Sequence, residues 1–383
     1  MKKEELEGQI IKDDYIEIIQ TLLEIPNNRL YPILIKLMRE KSKKITAKTV
    51  FCNYNNKYEL YGISELSQKD NTIFRSLFYE ILPAQYETVN LAPAIPQGAC
   101  TSLTKLGQDT RMTSIRGAEV ISDSTISLAL EAAKRRKKYM LCLDTKNIDI
   151  NMMTFHHLVR LQSFANNNGW LQHFDIAGMI TAGRRVNGHN FAYEKIKEHI
   201  SIWLRFLKYA NLNGFYVQRI KIKISHIGLM EYVMKKYGIE RENINSKSLD
   251  EKYNYFQANS IDLPTEIKSI HEIRSFLYQD KEGEKIYNSI KKFEETILEA
   301  LKKEFIGISF SYEIDRKLGL GYFCGFCFHG FASNYENIEY ALIDGGESDW
   351  ISRLLSDNLE LCVTSSFGSE LFQNQFKDKG AFL

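Results

Sequence analysis

The chain has 383 residues, 50 Lys+Arg against 48 Asp+Glu, and is 44% hydrophobic, enough for roughly two domains with buried cores; a peptide or a disordered tail is excluded. A formal charge of +2 gives no basic surplus, so tight binding through nucleic-acid phosphates is disfavoured. The opening from Met1 to Asp14 is charged where a signal peptide is apolar, and no run of about 18 apolar residues occurs. The expectation is a soluble, cytoplasmic protein without membrane contact.

From Tyr15 to about Lys43 apolar residues recur at helical spacing, with a break at Pro26, which predicts two short helices. Thr49 to Tyr61 alternates in part, as a strand or hairpin would, and Asn71 to Ile81 reads as a helix ended by Pro83. Residues 1–75 are therefore expected to form an added N-terminal element of mixed helix and strand. A strand follows over residues 88–96, another over Arg111 to Ile115, then a helix through Ser127 to Lys138 whose basic end suits the helix dipole or an anion. His173 to Thr181 reads as a strand, Tyr193 to Ala210 as a long amphipathic helix, and Val217 to Ser225 as a half-exposed strand. Residues 76–226 thus mix strands and helices, residues 227–305 carry helical patterns with little strand signal, and residues 306–383 return to closely spaced strands. Adjacent strands with short connections, together with helices, give an α+β class with an antiparallel sheet.

Six cysteines are scattered through the chain, which suits a reduced compartment and not a disulfide framework. Cys324 and Cys327 form a CxxC, but Gly321 to Phe328 reads as a buried strand, on which positions i and i+3 point to opposite faces. The histidines show no HxxH or HExxH spacing, so no metal site is expected.

Near the C-terminus, Arg316-Lys-Leu-Gly-Leu-Gly-Tyr-Phe323 precedes Asp344-Gly-Gly-Glu-Ser-Asp349 and then Ser365-Ser-Phe-Gly-Ser-Glu-Leu371. Upstream, Thr113 to Thr125 and Gly169 to Gly178 stand in matching order. This series resembles the class II catalytic core of histidyl-tRNA synthetases, with their RGLDYY strand, AGGRYD turn and final motif 3. The segment Ile222 to Val233 is similar to one in the family's regulatory paralogue, the accessory subunit of short-form ATP phosphoribosyltransferase. The resemblance covers about residues 85–375. It implies a class II synthetase-like antiparallel sheet flanked by helices, with a helical insertion, paired as a homodimer through Glu87 to Pro96.

The departures from the family pattern carry the functional expectation. On this register the motif 3 arginine falls on Leu371, the arginine before GLDYY on Leu318, and the motif 2 arginine on Gln162, with Arg160 two residues away. Arginines stabilise the charge of a transferring ATP phosphate, and each such donor is commonly worth a few kcal/mol. Arg160, Arg184 and Arg316 are the candidates to supply that charge from other positions, together with Arg185 and Arg353. The resemblance assigns Glu119 and Thr125 to a substrate amino group. It places the motif 2 glutamine on Ile176, the imidazole-reading glutamate on Ile180 and its assisting tyrosine on Phe323. An unpaired imidazole nitrogen in an apolar site costs about 1–3 kcal/mol. Any ligand is therefore less polar than histidine at its side chain, or else Ile176, Ile180 and Phe323 only fill a core.

The candidate ligand-binding set is Glu119, Thr125, Gln162, Asp175, Ile180, Tyr322, Phe323, Asp344, Gly345 and Gly346. Asp344-Gly345-Gly346 reads either as a ligand cradle or as a turn between strands. Ala182 to Arg185 reads as a loop that either aims two cations at an anion or is merely solvated. The implied function is a non-translational paralogue without aminoacylation, binding an amino-acid-like small molecule or regulating a partner enzyme. The alternatives are an adenylate-forming enzyme using ATP with Mg on a non-tRNA acceptor, and a synthetase-derived RNA-binding module. No tRNA partner is expected, given the charge balance and the lack of a C-terminal tRNA-reading domain in the resemblance.

Overall fold

The computed structural model describes residues 12–104, 108–161, 171–186, 190–245 and 253–377. The chain opens with helices α1 (Lys12–Glu24), α2 (Asn27–Ser42) and α3 (Ala47–Asn56), a single turn Tyr58–Tyr61, and α4 (Gln68–Ile81). The strand expected over Thr49 to Tyr61 is therefore helical. Thr46 Oγ1 accepts the Thr49 amide at the helix start, and every residue from Ala47 to Asn56 is exposed, so alternation has no sheet face to bury.

Twelve strands follow among the described residues: β1 (Glu87–Thr88), β2 (Ala94–Pro96), β3 (Thr113–Ser114), β4 (Ala118–Val120), β5 (Ile150–Val159), β6 (His173–Arg184), β7 (Gln218–His226), β8 (Glu266–Ile267), β9 (Ser309–Glu313), β10 (Phe326–Ser333), β11 (Glu339–Ser348) and β12 (Glu360–Phe367). Nine of them form one sheet in the order β1-β5-β6-β12-β11-β10-β7-β9-β8, and β2-β4-β3 form a small second sheet. The run β5-β6-β12-β11-β10-β7 is antiparallel throughout, whereas β1 joins β5 and β9 joins β7 in parallel.

Three strand expectations change. The segment 88–96 splits between the two sheets, with Pro93, which cannot donate to a ladder, just before β2. Gly321 to Phe328 is strand only from Phe326. Gly319 and Gly321 adopt φ of +84° and +86°, and both Tyr322 N and Phe323 N donate to Gly319 O at 3.0 Å, a curl that only glycine enters freely. β5 has no counterpart in the sequence reading.

Helices cover both faces. On one, α6 (Phe191–Asn211) buries Ile196, Ile200, Trp203, Phe206 and Leu207 against the sheet; Trp203 stacks on Phe367 at 5.3 Å and donates to Ser365 Oγ at 2.9 Å. On the other, α5 (Ser124–Tyr139) starts at Asp123, whose carboxylate accepts the Thr125 amide at 2.9 Å. It crosses β6 at Gly178, where an added Cβ would collide with Ser124 Oγ. Between β7 and β9 the described chain is helical apart from β8, with α7 (Ile227–Lys236) and α8 (Lys281–Phe293) the longest pieces. After β11 and β12 come α9 (Trp350–Leu355) and α10 (Ser369–Phe376). No helix among the described residues is long and apolar enough to cross a membrane.

Candidate functional site

Side chains alternate across a strand, and β6 divides accordingly. Asp175, Ala177 and Met179 face α6, and Phe174, Ile176, Ile180 and Ala182 face α5. The α5 side gathers polar groups. Glu119 is fully buried there and accepts from Gly98 N at 2.9 Å, Cys100 N at 3.0 Å and Gln108 Nε2 at 2.7 Å. Burial alone would raise its pKa, but the Cys100, Gln108 and Gly98 donors outweigh it and hold the carboxyl below its ordinary value. Ser122 links this group to Arg160: its hydroxyl lies 3.4 Å from Cys100 Sγ, and its carbonyl accepts from Arg160 Nε at 2.8 Å. The Arg160 guanidinium lies 5.4 Å from the Phe174 ring centroid, a cation–π contact.

A second group sits at the start of α5. Thr125 Oγ1 donates to Asp123 Oδ1 at 2.6 Å and meets the Tyr322 hydroxyl at 2.5 Å, and Tyr322 donates to Asp123 Oδ2 at 2.9 Å. Burial and the Asp123 charge push the Tyr322 phenol well above its ordinary pKa, so it stays a donor. Its ring meets Trp350 edge-on at 4.6 Å.

The third group is ionic. Arg316, its side chain wholly buried, donates from Nη2 to Asp344 Oδ1 at 2.7 Å and from Nε to Leu318 O at 2.7 Å. His329 lies 3.6 Å from Asp344 and 3.2 Å from Glu313. Lys223 pairs with Glu266 at 2.7 Å. Several buried polar atoms on this side have no partner: Ser124 Oγ, His156 Nε2, Ser225 Oγ, Trp350 Nε1 and Arg316 Nη1. Unsatisfied buried groups are rare and costly; Arg75 Nε, Arg111 Nε, the Tyr312 hydroxyl and Ser369 Oγ are the others among the described residues.

Asp315 adjoins this group. Burial and the Glu313 charge raise its carboxyl to about 6, so its charged form opposes folding. That penalty is absent below the ordinary value of 3.8 and grows as pH rises through about 6. Asp315→Asn is expected to stabilise the protein by about 1–3 kcal/mol at pH 8 and by nothing measurable at pH 4, read from urea midpoints at the two pH values.

The structure brings Glu119, Thr125, Arg160, Ile180, Tyr322, Phe323, Arg316, Asp344 and Gly346 to the α5 side. Asp175 is not among them: the pleat turns it to the opposite face, where it pairs with Arg75 at 2.7 Å. Arg184 is not on a loop but ends β6, held by Asp357 at 2.8 Å and Glu360 at 2.9 Å. Asp344-Gly345-Gly346 is not a turn but lies mid-strand in β11. A Cβ on Gly345 would lie 2.5 Å from the Phe328 ring and one on Gly346 2.6 Å from Cys327 Cβ, so protein already fills that space. Gln162 lies outside the described residues. Phe323 lies under Arg316, whose guanidinium is 5.4 Å from the ring centroid.

Asp123, Ser122, His329, Glu313 and Lys223 were missed by the sequence reading; only Asp123, as an N-cap before an apolar helix, left a sequence signal. Also missed was the grouping of His157, Asp175 and Glu370, whose ligand-type atoms lie within 4.8 Å of one another. Arg75 already neutralises Asp175 there, and with His157 and Asn71 it overcomes the burial that would raise the carboxyl, which drops to about 2.

A six-stranded antiparallel centre with polar groups on one face and a helix crossing at Gly178 makes an α+β fold. That fold is the class II synthetase-like one seen in solved histidyl-tRNA synthetase-like structures. It superposes on an ATP phosphoribosyltransferase regulatory subunit/histidyl-tRNA synthetase from Bacillus halodurans C with TM-score 0.61 and 15% identity, over 82% of this chain and 81% of that one. A histidine–tRNA ligase subunit from Alicyclobacillus acidocaldarius gives 0.59 and 14%, over 81% and 94%. The histidyl-tRNA synthetase from Nostoc sp. PCC 7120 gives 0.56 and 10%, over 82% and 72%. No family model matches the chain, and no curated protein matches it in sequence.

Proposed function

We propose that this protein is a non-translational paralogue of histidyl-tRNA synthetase, a homodimeric regulatory or binding subunit holding an amino-acid-like small molecule on the α5 side of its sheet. Residues 1–75 and 227–305 are additions to that core, which comprises residues 76–226 and 306–383. The observation that carries the reading is the state of the site's charge. Ile176 and Ile180 belong to the apolar cluster under α5 and Phe323 is buried beside Arg316, while Arg316 is tied to Asp344 and Arg184 to Asp357 and Glu360. A phosphate-transferring site needs guanidinium groups aimed at substrate. Glu119 and the Asp123–Thr125–Tyr322 cluster remain suited to an ammonium group. The B. halodurans neighbour's name, with its phosphoribosyltransferase regulatory subunit, supports a partner enzyme.

The test is ATP–pyrophosphate exchange over a panel of amino acids and related acids with Mg present. No exchange above background is expected, while a thermal-shift screen of the same panel without ATP is expected to find a stabilising ligand. Robust exchange would favour the second reading, an adenylate-forming enzyme with a non-tRNA acceptor. One observation favours that reading: Arg316 Nη1 is buried and unpaired, as a donor awaiting an anion would be.

A further inference from the structure

On the face away from the site, the N-terminal helices are tied to β5 and β6 through two histidines. His173 Nε2 lies 2.8 Å from Gly62 O, His173 Nδ1 lies 2.8 Å from His157 Nε2, and His157 Nδ1 lies 2.6 Å from Asp175 Oδ1. A carbonyl and an ionised carboxylate only accept, so the first and last contacts each need a proton from an imidazole. The middle contact needs a third proton between the rings. Two neutral imidazoles hold two protons, so the pair carries one positive charge whenever the chain of bonds is complete.

The surroundings balance that charge. Asp175 Oδ2 accepts from Arg75 Nη2 at 2.7 Å and from Asn71 Nδ2, and Asp175 N donates to Glu370 Oε2 at 2.7 Å. Glu370 Oε1 accepts from Ser64, and Gln373 Nε2 donates to Asn71 Oδ1 at 3.2 Å. The charged and titratable groups facing the pair are therefore Asp175, Arg75 and Glu370, with His156, kept neutral by burial, next along β5. Gly62, Ser64, Asn71 and Arg75 all belong to the N-terminal helical region; their partners belong to β5, β6 and α10.

We propose that His157 and His173 form a proton-operated clasp that holds the Gly62–Arg75 segment against β5 and β6 and opens when the pair either loses its shared proton or gains another. Removing the proton leaves one of the three contacts without a hydrogen. Adding a proton sets two N–H groups against each other. The clasp is independent of what the site binds. It reaches the site's stem, since Gln172 N donates to Glu59 O at 2.6 Å, Gln172 O accepts from Arg160 N at 2.7 Å, and Phe174 and Ile176 lie on the far face of the same strand.

The direction of each titration agrees. The Asp175 hydrogen bond raises the pKa of His157 above the ordinary 6.5, so its contribution is complete below that value and fades as pH rises through the folded-state pKa. Burial and the His157 charge lower the pKa of His173, so its contribution is complete above 6.5 and fades as pH falls. The clasp is closed in a window around 6.5 and opens on both sides.

The test is hydrogen–deuterium exchange of the full-length protein across that range, corrected for intrinsic rates, on peptides spanning Gly62–Arg75. Protection is expected to peak near 6.5 and fall on each flank by roughly tenfold per pH unit beyond the folded pKa values, as one-proton linkage requires. Peptides of α6 should not share the profile. His157→Gln, at a side chain 48% exposed and so tolerant of change, should flatten it, and His173→Asn should do the same. A wild-type profile without pH dependence, an unchanged bell in both variants, or protection that rises with zinc and falls with chelator would overturn the clasp, the last in favour of a metal site at His157, Asp175 and Glu370.

Discussion

Replacing Arg136 with methionine is expected to cost about 3–5 kcal/mol of stability, the cost of leaving a buried charge without its partner. Arg136 and Glu360 are both fully buried, and the fork is bidentate: Nε to Oε2 at 2.7 Å and Nη2 to Oε1 at 2.9 Å. The same guanidinium caps Ile148 O at 2.6 Å and Lys146 O at 2.7 Å, so Met would strand a carboxylate and two carbonyls. Arg184 Nη1, 2.9 Å from Glu360 Oε1, offsets only part of this because Asp357 shares it. Urea unfolding is expected to show a lower midpoint with an unchanged slope. The double variant Arg136→Met, Glu360→Leu should recover most of the loss, because a buried ion pair replaced whole by apolar groups is often neutral. A loss under about 1 kcal/mol in the single variant would mean that this pair does not fasten α5 to β12.

That pair also shows where sequence reading stops. The basic end of α5 invites a dipole explanation, which suits Lys137 and Lys138, exposed in the last turn. Nothing in the spacing says that Arg136 points inward to a glutamate far along the chain. The long strands β6, β7 and β10 and helices α5 and α6 were legible because their apolar periods are strong. β5 was not, since Asn151, Thr154, His156 and His157 interrupt its apolar pattern. Local capping defeated the alternation in α3. Glycine was read through its freedom to turn, yet Gly345 and Gly346 sit in β11 because Phe328, Ser365 and Cys327 pack too close for a side chain. Motif order gave the fold and placed Glu119, Thr125 and Tyr322 on one face. It could not distinguish Asp175 from Ile176, because one residue along a strand reverses the face.

Arg316 is the informative contrast with Arg136. Arg316→Met also removes a wholly buried guanidinium, but its partner Asp344 keeps 42% of its side-chain surface in solvent and lies 3.6 Å from His329. Water can rehydrate that carboxylate, so the expected loss is about 1–3 kcal/mol, below that of Arg136→Met. The order reverses for binding. Each guanidinium nitrogen of Arg136 has a partner, whereas Arg316 Nη1 is buried without one, on the face that carries the Thr125–Tyr322 cluster. A ligand carboxylate that met that N–H would gain a charged hydrogen bond of about 1.5–3 kcal/mol, so removing it should weaken binding by roughly tenfold to a hundredfold. Calorimetry with the best ligand from the thermal-shift screen should show that loss in Arg316→Met and unchanged affinity in Arg136→Met below its unfolding temperature. Equal affinities in the two variants would make Arg316 a structural residue like Arg136 and move the ligand's anchor elsewhere on the sheet.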